Sequence, residues 1–170
     1  ILAGCTMGAS PATGAIADVD GLAGLSMRDL GEAVGMRAQS VYSYYPSKDA
    51  IYDAMFRQGY EEFRAWIASS ADVRALPPVA RFRHMAHRFF DFCTTDEVRY
   101  QLLFQRTIPG FEPSPESYTV ALAVLDDLAA EFAAVGITDP AAIDLATAMF
   151  TGLTSQQLAN DPGGDRWLRL

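Results

Sequence analysis

The segment from Ser26 to Lys48 constrains this chain more than any other. Ser26 is a good N-cap residue, and Asp29 stands three positions on as a short capping-box partner. Met27, Leu30, Ala33 and Val34 then recur at i, i+3, i+6 and i+7, which is one face of a short helix. Gly35 ends that helix, as suits a left-handed cap position. A second short helix is predicted from about Ala38 to Tyr45, because Pro46 disfavours helical geometry in the residue before it. Ser47 then caps a third, longer helix that carries Ile51, Met55, Phe56, Phe63, Trp66 and Ile67 and reaches roughly Ala71. A short helix, a tight glycine turn and a second short helix let that second helix project, the design whose second helix enters a DNA major groove.

The rest of the chain repeats helical periodicity and shows no alternating strand pattern and no internal repeat. Pro77 and Pro78 open a helix through Phe82, Met85, Phe89, Phe90 and Cys93, and a shorter one covers about Asp96 to Gln105. After a loop from Thr107 to Ser114, the run Ser114-Pro115-Glu116 reads as a cap, a proline at the first helical position and an acid in the first turn. That helix carries Tyr118, Leu122, Leu125, Leu128 and Phe132 and ends at Gly136. Asp139-Pro140 repeats the start, and the following helix closes at Asn160-Asp161-Pro162-Gly163-Gly164. The expectation is an all-α fold: a helix-turn-helix head over residues 1–50 and a helical body over 51–170. The first residues, Ile1 to Gly14, read as loose or partly helical, with helix signals from Ala12 to Val19 weakened by Gly14.

The exposed chemistry of the second helix suits a base reader. Arg37, Gln39, Ser40, Tyr42, Ser43 and Tyr44 are polar or amphipathic, while Val41 and Tyr45, four apart, can pack inward. Glutamine pairs bidentately with adenine, arginine with guanine, and serine with several partners. Tyrosine hydroxyls and the Lys48 ammonium can reach phosphates. From Met36 to Lys48 there are two cations, Arg37 and Lys48, and no acid; Arg28 adds a third cation from the preceding helix. Lys48 is also the one lysine among thirteen basic residues, and a cation at a helix start opposes the dipole, which favours a phosphate role for it.

The run Gly21-Leu22-Ala23-Gly24-Leu25-Ser26-Met27-Arg28-Asp29-Leu30, then Gly35, then Gln39-Ser40-Val41-Tyr42-Ser43-Tyr44-Tyr45-Pro46-Ser47-Lys48-Asp49-Ala50, resembles the DNA-binding domain of the TetR/AcrR family of transcriptional regulators. The stretch Gly152 to Trp167 is similar to C-terminal regions of some members and is less diagnostic. The resemblance implies a homodimer with two small heads and larger ligand-binding bodies. It places Ser26 and Arg28 on phosphate, Gln39, Ser40, Tyr42 and Ser43 toward bases or nearby backbone, and Tyr44 and Lys48 on phosphate. The sequence departs from the family where a basic arm and an amphipathic first helix precede the motif: Ile1 to Asp20 is glycine-rich here and includes Asp18 and Asp20.

The expected function is a ligand-responsive repressor that binds a palindromic operator as a homodimer and is released by a small apolar or aromatic effector. Its recognition helices should lie roughly 34–36 Å apart or a multiple of that. The dimer interface is expected on the helices Pro115 to Val135 and Pro140 to Asn160, whose apolar stripes suit a four-helix bundle. Candidate effector-binding residues are Trp66, Met85, Phe89, Tyr100, Phe104 and Tyr118, drawn from an aromatic-rich body. The competing reading is an all-helical protein-interaction module or small-molecule binder that does not touch DNA.

Enzymatic chemistry has little support, because no glycine-rich phosphate loop, GxSxG, HExxH or paired Cys/His set occurs. His84, His87 and Asp91 share a helical face at i, i+3 and i+7 but have no evident fourth ligand, so neither metal nor cofactor is expected. Cys5 and Cys93 are far apart, which suits a reducing compartment. No apolar run is long enough to span a membrane and the start does not read as a signal peptide, so a cytoplasmic location is expected. The opening at Ile1 and the close at Arg166–Leu170 suggest that both ends continue.

The charge balance sets a limit. Thirteen basic against twenty-one acidic residues give a formal net charge of −8, which excludes a protein that coats nucleic acid. Residues 1–60 hold four basic and six acidic groups, net −2, and residues 61–170 hold nine and fifteen, net −6. Most of the negative charge therefore lies in the expected body.

Overall fold

The computed structural model describes residues 22, 24, 26–33, 35, 37–69, 73 and 75–169. The expectations for the first twenty-one residues, and for the side chains of Asp29, Leu30, Ala33, Val34 and Met36, lie outside the described residues. Leu22 and Gly24 are helical, and the described residues after them form seven α-helices and no strand. In chain order they are α1 (Met27–Ala33), α2 (Ala38–Tyr42), α3 (Lys48–Ala68), α4 (Pro78–Thr95), α5 (Glu97–Phe104), α6 (Pro115–Ala134) and α7 (Pro140–Asn160). A 3-10 turn, Trp167–Arg169, follows, at a place where the sequence signals no helix. The fold is all-α, as expected.

Helix boundaries follow the local chemistry. Gly35 has φ +67, so the turn between α1 and α2 uses left-handed backbone that an L side chain resists. Its amide donates to the Glu32 carbonyl at 3.2 Å. The second motif helix is shorter than the sequence reading placed it. Regular α-helix stops at Tyr42, and Tyr44 and Tyr45 continue only as a turn, their amides donating to the Val41 carbonyl. Ser47 caps α3, its Oγ accepting from the Ala50 amide at 3.1 Å. Ser114 caps α6 through the Ser117 amide at 3.2 Å, and Asp139 caps α7 through the Ala141 amide at 3.0 Å. Gly136, at φ +84, follows the end of α6.

The chain divides into two compact units. The first contains the motif: the described residues up to Gly59 together with Val98–Tyr118. Its motif core is a small cluster of Met27, Val41 and Ile51, with Tyr45 and Met55 packed against it. Each of the three core residues comes from a different helix, so the cluster defines how α1, α2 and α3 pack together. Beside it Tyr52, almost fully buried, packs edge-to-face on Phe111 with centroids 5.6 Å apart.

The second unit, Tyr60–Glu97 with Thr119–Leu170, is organised by aromatic rings. Phe82 of α4 meets Phe132 of α6 at 5.0 Å and Phe150 of α7 at 6.2 Å. Phe89 contacts Phe63, Phe90 and Phe150 at 5.8–5.9 Å. An ion pair between Arg81 and Glu131, 2.6 Å long and mostly buried, ties α4 to α6. The end of α7 is closed by Gln157, whose Oε1 accepts from the Trp167 amide at 2.9 Å and whose Nε2 donates to the Asp161 backbone carbonyl. Among the described residues no helix is long and apolar enough to cross a membrane.

Two substitutions separate turn strain from core packing. Gly35→Ala should cost about 1–2 kcal/mol through backbone strain alone, because nothing lies within 4 Å of an added Cβ. Ile51→Ala, at a side chain that is 4 % exposed, should cost about 2–5 kcal/mol by opening a cavity in the motif core. Denaturant midpoints of the two variants, compared at equal slope, measure both costs.

Candidate nucleic-acid interface

The inward and outward faces of α2 separate cleanly. Val41 is 2 % exposed and Tyr45 half-buried, both held in the motif core, as the four-residue spacing predicts. Arg37, Gln39, Tyr42, Ser43 and Tyr44 are exposed, and Ser40 is half-buried. Tyr42 and Tyr44 expose 53 % and 55 % of their surface, so both phenols are free of the core and available to a partner. Arg37 precedes the helix in extended conformation and accepts the first α2 hydrogen bonds through its carbonyl, from Ser40 and Val41. Ser43 Oγ turns back to the Gln39 carbonyl at 3.4 Å.

The remaining candidates flank α2. Arg28 on α1 pairs with Glu32 one turn on, at 3.0 Å, with both side chains largely exposed. Ser26, half-buried, precedes α1. Lys48 opens α3, and its ammonium lies 5.9 Å from the centre of the Tyr52 ring. Lys48 is half-buried beside the buried tyrosine. Arg28 pairs with Glu32, and Arg37 and Lys48 are the two cations between residues 36 and 48.

Behind the motif stands a polar junction that sequence reasoning missed. Asp53 on α3 accepts from the Ser114 amide at 2.6 Å, from Ser114 Oγ at 3.0 Å and from Ser117 Oγ at 2.8 Å. Burial pushes the carboxyl up. The Ser114 amide, the two serine hydroxyls and the nearby Arg57 outweigh that and hold it below its ordinary 3.8. Nothing local signals this contact, because Asp53 and its partners are more than sixty residues apart.

The six aromatic and methionine candidates fall into both units. Tyr100 is 1 % exposed and stacks obliquely on Phe104 at 5.9 Å, and Tyr118 is exposed; these belong to the first unit. Trp66, Met85 and Phe89 belong to the second. Phe89 lies within the aromatic core, with half-buried Met85 one turn away on α4. Trp66 is covered on one face by the Arg88 guanidinium, 3.7 Å from its ring centre, and donates from Nε1 to the Arg88 carbonyl at 3.0 Å. Arg88 in turn donates to the Trp66 carbonyl and to Ser69 Oγ. Among the described residues no three His, Cys, Asp or Glu side chains come together as metal ligands.

Residues 16–55 match the family model described as "Bacterial regulatory proteins, tetR family", which spans the whole motif from before α1 to within α3. A solved structure described as "putative regulatory protein SCO4313" shares the fold, with a TM-score of 0.63 and 21 % identity. The match covers 87 % of this chain and 80 % of that one. No curated protein matches the sequence at a significant level.

The Asp53 junction gives a pH signature. Its folded carboxyl sits below the unfolded value, so its stabilisation is present above 3.8 and is lost as pH falls through the folded value. Asp53→Asn should therefore lower stability at neutral pH, and the gap from wild type should narrow as pH drops below 3.8. Urea unfolding of both proteins across that range measures the gap.

Proposed function

We propose that this tetR-family regulator is a ligand-responsive repressor that binds a palindromic DNA site as a homodimer. The observation that carries the reading is the outward face of α2. A five-residue helix anchored inward by Val41, with the turn that follows it, presents Gln39, Tyr42, Ser43 and Tyr44 to solvent, with Arg37 before it and Lys48 after it. Gln39, Ser40, Tyr42 and Ser43 are assigned to bases or adjacent backbone, with Gln39 suited to a bidentate pairing with adenine. Ser26, Arg28, Tyr44 and Lys48 are assigned to phosphates, and Arg37 to guanine or phosphate. The head is residues 1–50 and the body 51–170, and the protein works in the cytoplasm, where DNA is accessible.

Dimerisation is assigned to α6 and α7. Leu122 and Leu125 on α6, and Leu145 and Met149 on α7, expose between 40 % and 63 % of their surface. Those positions lie three or four apart on their own helices, so each helix presents an apolar stripe that a second copy would cover. A small apolar or aromatic effector is assigned to the body; the candidates for its contacts are Trp66, Met85 and Phe89 in the second unit and Tyr100, Phe104 and Tyr118 in the first. It acts by favouring a state whose two heads are misplaced for DNA, so effector and DNA oppose each other's binding by the same factor.

Selection of duplexes from a random pool tests the reading directly and is expected to return a two-fold symmetric site. On that site Lys48→Ala should weaken binding across sequences and reduce the salt slope by about one. Gln39→Ala should cost about 1–3 kcal/mol of discrimination at one base position. A pool that returns no enriched sequence at low salt would refute DNA reading. Sedimentation should show a dimer at micromolar concentration, converted to monomer by Leu145→Glu, and a wild-type monomer there would remove the interface assignment.

A further inference from the structure

Two neighbouring residues of α3 hold the motif from different sides. The Tyr52 hydroxyl donates to the Leu22 carbonyl at 2.5 Å, ahead of α1, and its ring packs on Phe111. Asp53 takes its three hydrogen bonds from the first turn of α6. Ser114 has a double role there. Its Oγ accepts from the Ser117 amide as the cap of α6 and donates its own hydrogen to Asp53 Oδ2. Amide, hydroxyl and carboxylate form a chain in which each bond polarises the next, at a helix end where an anion is favoured.

We propose that Asp53, with Ser114 and Ser117, is a joint that makes DNA binding by α2 and the order of the α6 start mutually dependent. The inference rests on the DNA-binding reading above and deepens it. Ile51 and Val41 share one core, so the pose of α3 sets the pose of α2. Lys48, a turn before Ile51, would be held by phosphate when DNA binds. With α3 fixed at Lys48 and Ile51, Asp53 is fixed half a turn further on, and the two serines are held with it. Coupling of this kind is reciprocal: whatever displaces the first turn of α6 loosens the hold on DNA, and DNA steadies that turn. Asp53 is on this account a positioning residue, placed to act through α3 rather than by touching DNA.

The test is amide exchange at residues 114–118 of the full chain, with and without a saturating duplex recovered by selection. In the wild type the duplex is expected to slow exchange there about fivefold or more. In Asp53→Ala that slowing should vanish while the duplex still binds, more weakly. Ser117→Ala keeps the Ser114 cap and removes one donor; it should show a reduced slowing, and it carries the test if Asp53→Ala does not fold. A junction that served only stability would speed exchange equally with and without duplex and leave the duplex effect intact, which would overturn the joint. Absence of slowing in a wild-type chain that binds the duplex would overturn it too. A chain that binds no duplex would overturn the DNA-binding reading and this inference with it.

Discussion

The motif depends on the burial of Val41 between Met27 and Ile51. A five-residue helix is far too short to persist in water by its own hydrogen bonds, because nucleation costs more than one turn returns. α2 exists because one valine, supported by Tyr45, is taken out of water by residues from both neighbouring helices. Burial of such a side chain is worth roughly 1.5–3 kcal/mol, which offsets the ordering of only about one or two backbone residues, so the flanking contacts must supply the rest. That division leaves Gln39, Tyr42, Ser43 and Tyr44 outside the motif core and exposed to solvent. Gly35 is the other half of the arrangement, since left-handed backbone there lets α2 follow α1 within a few residues.

The second unit solves a different problem by different means. Its core is built from phenylalanines on four helices, whose rings meet mostly edge-on or tilted, so interhelical geometry is set by ring packing rather than by small aliphatic groups. Arg81 and Glu131 close one side of it, sharing a mostly buried contact that would be costly with either partner missing. Trp66 and Arg88 close another through a stacked guanidinium and two backbone carbonyls. Against that ordered interior, the exposure of Leu145 and Met149 stands out. Large apolar groups in a stripe on a long helix cost solubility unless a partner covers them.

Much of the fold was legible because its signals are local. Caps at Ser47, Ser114 and Asp139, prolines at helix starts and glycines past helix ends each act within a few residues, and each sits where the pattern places it. The inward pair Val41 and Tyr45 followed from spacing alone. The end of α2 was less legible, because three tyrosine and serine positions before Pro46 suit a turn as well as a helix, and only packing chooses. The contacts of the aromatic residues were not legible: Phe89 and Trp66 look alike in sequence, yet one lies in a ring cluster and the other under an arginine at the surface. Asp53 was missed for the same reason. An acid in mid-helix reads as a solvated side chain until a distant serine pair is brought to it.

The acidic composition then acquires a physical meaning. A reader that depended on many phosphate contacts would bind any duplex, and the net charge of −8 opposes that mode. Here Arg28 pairs with Glu32, and only two cations, Arg37 and Lys48, lie between residues 36 and 48. Few cations mean a shallow electrostatic contribution and weak attachment to random sequence. In the proposed reading, discrimination comes from hydrogen bonds and apolar contacts at base edges, and from the accuracy with which α2 is held. On these proposals, that accuracy comes from the Val41 core, the Gly35 turn and the Asp53 junction. A chain with little general attraction for DNA has the more to gain from rigid support behind its recognition helix, since each misplaced contact removes a larger share of the binding energy.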